Sequence, residues 1–470
     1  MTQYSKYIIV ILTAASFAAC KVGKDFQRPE VALPEQFGST TPTADSSIAN
    51  AQWRQFFPDP ALQNLITEAL KNNFDLQIAL KRIDAASSYV KQARAQLLPS
   101  VTANATGNTS IPSKNSLNGV SLNEFLKTSH IEDFNLGVGI SWEIDIWGKI
   151  RRQKESALAS YLQSFEAAKA VQTGIIANVA NSYFNLLMLD AQLEIARKNV
   201  ALSDTIVQMI KMQKTAGDVT ELAVQQAVAQ KQNAELLVPQ LEQAAAIQEN
   251  AIRILMGQMP GNIARGGTLD AYPIWDELQT GIPAKVIANR PDVKASELGL
   301  KAANANVGAA QGAMYPALSL TANGGLNAYE IGKWFSIPNS LFGTVAGNIS
   351  QPIFQQRRLK TNLEVAKVER DQAVILFRQS VTVAVQEVSN ALIQLDKLEG
   401  QQDIAGARLQ TTQQAVSNAR LLFRSGLANY LEVINAQGSS LQAELTQADI
   451  RRQRLTAMVD LYRSLGGGYQ

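Results

Sequence analysis

The chain has 470 residues and a formal net charge of +3, with 43 Lys and Arg set against 40 Asp and Glu. That length allows more than one core, and so even a balance, with both signs interspersed along most segments, argues against nucleic acid as a partner. A single histidine, His130, and a single cysteine, Cys20, leave no ligand set for a transition-metal site, no internal disulfide and no Cys/His nucleophile pair.

The first element in chain order is an export signal. Lys6 precedes the apolar run Tyr7 to Leu12, and small residues lead to Ala18-Ala19-Cys20, which reads as a secretory signal peptide over residues 1–19. Spanning a bilayer takes about 20 apolar residues, so the run is too short for a transmembrane helix before Lys21 and Lys24. Cys20 resembles the acylated cysteine of a bacterial lipobox, although Phe17 stands where leucine is usual. By that resemblance Cys20 carries diacylglyceryl and palmitate chains, and Lys21 in place of Asp implies sorting to the outer membrane. Acyl chains contribute about 0.8 kcal/mol per buried methylene, enough for a firm anchor when several are attached. Residues 20–58, proline-spotted and polar over most of their length, predict a lipidated tether.

Beyond the tether the chain repeats itself. At an offset of 217, Asn72 meets Asn289, Asp75 meets Asp292 and Pro99 meets Pro316; at an offset of 209, Ile140 meets Ile349, Gly217 meets Gly426 and Gly257 meets Gly466. Two copies of one unit follow, 59–257 and 284–466, joined by a Gly/Pro-rich connector over 258–283. The change of offset places about eight extra residues in the first copy, in a polar surface loop between Thr109 and Asp133.

Each copy contains period-two segments. Phe134, Leu136, Val138, Ile140, Trp142, Ile144 and Ile146 alternate with Asn135, Gly137, Gly139, Ser141, Glu143 and Asp145, a strand with one oily and one polar face. Strands are expected at about 99–108, 134–146, 316–326 and 341–354, the last being the weakest. Their length suits a tilted membrane crossing, and Trp142, Trp147 and Tyr315 suit an interfacial aromatic belt. Four strands leave two unpaired edges, which hydrocarbon forbids, so a spanning sheet needs several chains. A soluble β-subdomain with one face on the helices is the other reading of the same alternation.

The remainder is Ala-, Gln-, Leu-, Glu-, Lys- and Arg-rich and strongly helix-favouring. Helices are expected at 149–215 and 221–256, then 359–424 and 430–465, the first reaching on the order of 100 Å at about 1.5 Å per residue. Leu186, Leu189, Leu193, Ala196 and Val200, with Leu392, Leu395, Leu398 and Ile404 in the second copy, form packing stripes. Gly217 and Gly426 end the first helix of each pair, Thr220 and Asn429 are placed to cap the next, and Pro239 predicts a kink. Nothing in the chain joins a nucleophile to a base, gathers a metal cluster or builds a phosphate loop, so neither an enzyme nor a cofactor is expected.

Several segments, in order and over nearly the whole chain, resemble the trimeric outer-membrane factor family of TolC type, in particular its lipidated efflux members. They are Cys20-Lys21-Val22-Gly23-Lys24-Asp25-Phe26-Gln27-Arg28-Pro29, Trp142 to Gly148, Ile282-Pro283 with Asn289-Arg290-Pro291-Asp292-Val293, and Gly426 followed by Tyr430-Leu431-Glu432-Val433. The resemblance implies a mixed α and membrane-β fold, with a homotrimer closing a 12-stranded barrel in the outer membrane of a Gram-negative bacterium and an α-helical barrel in the periplasm. It further implies a periplasmic adaptor docking on the tips Gly217, Asp218, Val219, Thr220 and Gly426, Leu427, Ala428, Asn429, and an inner-membrane transporter of resistance-nodulation-division type. Glu432 would sit at the aperture, with Asn435 where the family often has a second acid and with Arg420 or Arg424 as latch partner. The expected function is a passive exit duct for drugs or other toxic small molecules. A duct for protein secretion or metal efflux remains open, as does, from another class, a periplasmic adaptor or structural coiled-coil lipoprotein.

Overall fold

The computed structural model describes residues 22–34, 51–274 and 283–469; Cys20 and the signal segment lie outside them. The labelled helices are α1 (Pro60–Asn72), α2 (Phe74–Ala95), α3 (Lys149–Ala216), α4 (Glu221–Leu255), α5 (Pro291–Gly312), α6 (Arg358–Arg424) and α7 (Tyr430–Ser464). The strands are β1 (Ser100–Ser110), β2 (Ile131–Ile144), β3 (Ala317–Ala328) and β4 (Leu341–Ser350). Two compact units emerge, and each draws on both sequence copies. The first comprises the described residues of Met1–Pro29, Asp84–Gln163 and Glu297–Leu376, the second those of Glu30–Ile83, Ser164–Ser296 and Phe377–Gln470.

The first unit carries one antiparallel sheet in the order β1-β2-β3-β4. β4 stops at Ser350, short of the expected Phe354, because Pro352 has no N–H for a ladder and the chain turns through Gln356 and Arg357 at positive φ. β2 likewise ends before Ile146, whose N–H turns back to the Ile144 carbonyl at 2.9 Å. The expected polar loop after β1 holds two short helical turns, Leu117–Ser121 and Leu122–Leu126, with Leu122 buried. Residues 22–28 are docked here: Arg152, with a side chain only 3% exposed, donates to Gly23 O at 3.0 Å and pairs with Asp25 at 2.9 Å and Glu155 at 2.7 Å. Asn304 holds the Lys24 carbonyl at 3.1 Å.

The second unit is a helical core in which Trp53, Phe56, Phe57, Leu62 and Ile66 pack on Tyr183, Leu186, Ile252, Leu455 and Tyr462. The Phe56 and Tyr462 rings stack at 4.2 Å. α4 runs as one helix through Pro239, the position at which a kink is expected. In the second copy Leu398 of the expected stripe is buried and Leu395 packs on the core, but Ile404 is exposed; Val381, Ala384, Val388, Ala391 and Ala405 complete the buried row. The connector is more than a loop, since Ile263, Leu269 and Tyr272 are buried.

One polar network ties this core together. Asp59 caps α1 through Ala61 N at 2.9 Å and Leu62 N at 3.3 Å, and accepts the hydroxyls of Tyr183 at 3.0 Å and of Tyr272. Gly266 N donates to the Tyr183 oxygen at 2.8 Å. Burial first, then the Asp59 and Tyr183 partners, raises the Tyr272 phenol; burial raises Tyr183 as well, against the opposing hydrogen bonds from Tyr272 and Gly266. A phenol raised in the folded state stabilises fully below its unfolded value of about 10, and that stability drains as pH rises past it. We therefore expect the unfolding midpoint to fall above about pH 10. In Tyr272→Phe the fall should be shallower, read by helical circular dichroism; an unchanged slope would remove Tyr272 from the account.

Candidate functional site

The sheet of the first unit sorts most of its residues by face, Phe342 and Ile131 being apolar exceptions on the polar side. Partnered residues share a face, so the register Val101↔Ile140, Val138↔Gly324, Ile140↔Ala322, Trp142↔Leu320 and Leu318↔Ile349 collects the apolar side chains on one side. Thr102, Asn104, Asn135, Ser141, Thr321, Asn323, Asn327, Thr344 and Asn348 lie on the other. The apolar side is exposed, with Val345 at 85% and Ile349 at 72%, the inverse of a sheet that buries its oily face on helices. β1 and β4 each leave an edge unpaired among the described residues. Among the described residues no helix is long and apolar enough to cross a membrane.

Of the three expected belt residues, the structure brings two together. Trp147 stacks on Tyr315 with centroids 5.0 Å apart and donates its indole N–H to Pro316 O at 2.7 Å. Trp142, on the apolar face, donates instead to Leu97 O at 3.0 Å. Both indoles thus keep an apolar body with a satisfied polar end. At the start of α3, Asp145 accepts from Ile150 N at 3.0 Å and Arg151 N at 2.9 Å, a cap that alternation alone did not reveal.

The tips belong to the second unit and are built alike. Gly217 adopts φ +90° and Gly426 φ +73°. Gly217 N bonds Lys214 O and Asp218 N bonds Gln213 O, while Gly426 N bonds Phe423 O and Leu427 N bonds Leu422 O. Each is the paired closure that satisfies a helix's last carbonyls and requires a left-handed residue. Asn429 caps α7 through Leu431 N at 2.9 Å and Glu432 N at 3.3 Å. Thr220 occupies the matching position before α4 but makes no side-chain cap bond, which corrects the expectation for it. The two turns sit side by side, since Ile206, Val207, Ile210, Ala223 and Val224 of the first hairpin share one core with Ala419, Phe423 and Val433 of the second. Tyr430 adds a hydrogen bond to Gln226, and Gln437 one to Ser203 at 3.0 Å.

Around the second tip Glu432, Asn435 and Arg424 are exposed and Arg420 is half-buried. Among the described residues neither Arg420 nor Arg424 comes within 4.0 Å of the Glu432 carboxylate as an ion pair. His130 is partly exposed with Glu132 3.7 Å away. No group of three or more His, Cys, Asp or Glu able to hold a metal occurs among the described residues. Arg290 is the functional-segment residue whose role was not legible: it is 4% exposed and grips Asp292, Glu387 and the Ser464 carbonyl.

This arrangement matches known proteins throughout its length. The family model described as outer membrane efflux protein matches twice, over residues 65–258 and 282–467. The chain is 31% identical over 466 residues, 97% of this chain and 94% of the relative, to a probable efflux pump outer membrane protein, TtgC, of Pseudomonas putida. It is 29% identical over 469 residues, 98% of this chain and 99% of the relative, to the cation efflux system protein CusC of Escherichia coli. The crystal structure of the open state of the Neisseria gonorrhoeae MtrE outer membrane channel superposes with a TM-score of 0.85 at 27% identity, covering 96% of this chain and 99% of that one. With its duplicated unit, its exposed apolar sheet and its paired helical hairpins, the chain belongs to the outer membrane efflux protein family.

Proposed function

We propose that three copies of this chain form the exit duct of a tripartite efflux system. Each contributes four strands to one twelve-stranded barrel in the outer membrane, and the long helices continue as a periplasmic tunnel. The observation that carries this reading is the sheet: an exposed apolar face between two open edges is stable in hydrocarbon only when neighbouring copies pair those edges. Acylated Cys20 anchors the assembly, and Trp142, Trp147 and Tyr315 mark the level of the headgroups.

The tips, 217–220 and 426–429, meet a periplasmic adaptor that links the duct to an inner-membrane transporter of resistance-nodulation-division type. Glu432 lines the aperture, where a ring of like charges acts by local field; Asn435 supplies no second ring, and Arg420 or Arg424 acts as the latch partner. The duct performs no catalysis and holds no cofactor. Cargo is chosen upstream, an idea supported by relatives of one fold named for a probable efflux pump and for cation efflux. The expected result in a planar bilayer is a trimer that conducts ions, with Glu432→Ala lowering the preference for cations. Cysteines at Asp218 and Leu427 should crosslink to the adaptor. No conductance even in Glu432→Ala would sink the duct, and no adaptor recovered would sink the tip assignment.

A further inference from the structure

The duplication supplies an internal control at the junction between strand and long helix. In the first copy, Lys149 pairs with Glu143 at 2.5 Å and Arg151 with Asp145 at 3.2 Å. At the offset of 209 the second copy retains both cations, as Arg358 and Lys360, but replaces the two acids with Pro352 and Phe354. Among the described residues neither Arg358 nor Lys360 makes an ion pair, and Arg358 has only a hydrogen bond to Gln355. Arg357 alone faces an acid, Glu364 at 3.1 Å.

Two further features set this junction apart. Arg357 stands at φ +66°, where the first copy has Gly148 at φ +78°, and Gln356 before it is at φ +51°. Two successive non-glycine residues in the left-handed region are costly, and such conformations cluster where side chains are used. The junction also surrounds an open groove of about 420 Å³ lined by Met314, Pro352, Ile353, Phe354, Arg358 and Lys360. Ile353 is 95% exposed and lies just beyond β4, whose apolar face includes the exposed Val345 and Ile349. Oily surface thus passes directly into unneutralised positive charge, the sequence of environments met on leaving hydrocarbon for the headgroup layer.

We propose that this junction holds the phosphate of an anionic phospholipid from the bilayer around the strands, with Arg358 and Lys360 supplying the charge and Ile353 the apolar contact. The inference rests on the strands lying in a membrane and is independent of adaptor docking and of conduction. Its test is native mass spectrometry of the detergent-purified trimer with added phosphatidylglycerol, phosphatidylethanolamine of the same chains, or inorganic phosphate. Phosphatidylglycerol should be retained in preference, one per subunit. Arg358→Gln with Lys360→Gln should cut that retention roughly thirtyfold, as loss of two near-surface cations predicts. Lys149→Gln with Arg151→Gln, whose cations are already paired, should leave it unchanged. Persistence of the trimer in each spectrum verifies folding. Equal retention of the two lipids, equal loss in both double variants, or competition by inorganic phosphate at the same concentration as the lipid would each overturn the proposal, as would a groove covered by the neighbouring subunit that binds neither lipid.

Discussion

Arg290→Met is expected to destabilise the helical unit by about 3–5 kcal/mol, the range for removing one partner of a buried charge network. Arg290 precedes Pro291, the first residue of α5, and is almost wholly buried. Its guanidinium donates twice to Asp292, at 3.0 and 2.7 Å, once to Glu387 at 2.6 Å and once to the Ser464 carbonyl at 2.7 Å. Those contacts pin the start of α5 and the end of α7 to α6, and Arg463 adds a second cation on Glu387 at 3.1 Å. Lysine should recover little, because a point charge cannot reproduce a planar fork reaching three acceptors. The pH dependence carries a sign of its own. Burial alone would raise the Asp292 carboxyl, but the hydrogen bond and charge of Arg290 prevail and hold it below its usual value. Its contribution is therefore present above about pH 4 and lost as the solution is acidified through the lowered value. Chemical unfolding followed by circular dichroism should show that acid-dependent loss in the native chain and not in Arg290→Met. A midpoint unmoved by the substitution would contradict the assigned role.

The contrast between Arg290 and the tips shows what kind of information a sequence exposes. Gly217, Gly257, Gly426 and Gly466 end helices through bonds confined to six successive residues, so glycine at matching positions of two copies was sufficient to place them. Strand faces were legible for the same reason, since a period of two is written locally. Arg290 instead reaches a residue 97 positions away and another 174 away, and Asp59 meets Tyr272 across 213. No spacing rule encodes those pairings. The second-copy seam was legible only at Leu395 and Leu398, because the rest is built largely from Ala384, Ala391 and Ala405, and alanine is too common in these helices to mark a face. Thr220 shows the limit of turn chemistry: the right residue in the N-cap position makes no side-chain cap bond.

Within the sheet, glycines that look equivalent in the sequence should respond in opposite ways. Gly137 faces Gly325 across β2 and β3, Gly324 faces Gly343 across β3 and β4, and Gly325 faces Phe342. A Cβ on Gly325 would strike the Leu136 carbonyl oxygen and the Gly137 Cα, while one on Gly343 would meet nothing within 4 Å. The first obstacle is backbone, which cannot rotate out of the way, and a one-residue slip to avoid it would turn every oily side chain of β3 to the polar side. Overpacking of this kind costs about 1–3 kcal/mol per site, and in a homotrimer it is paid at three sites of one closed barrel. Gly325→Ala is therefore expected to abolish most of the heat-stable trimer recovered in the outer-membrane fraction. Gly343→Ala should leave it unchanged or strengthen it by up to about 1 kcal/mol per chain, because alanine loses less conformational freedom on folding. Unheated gel electrophoresis of the two variants side by side gives the answer. Equal trimer yields would mean that β2 and β3 have room to part at Gly325, and that the close approach there is not what sets the register.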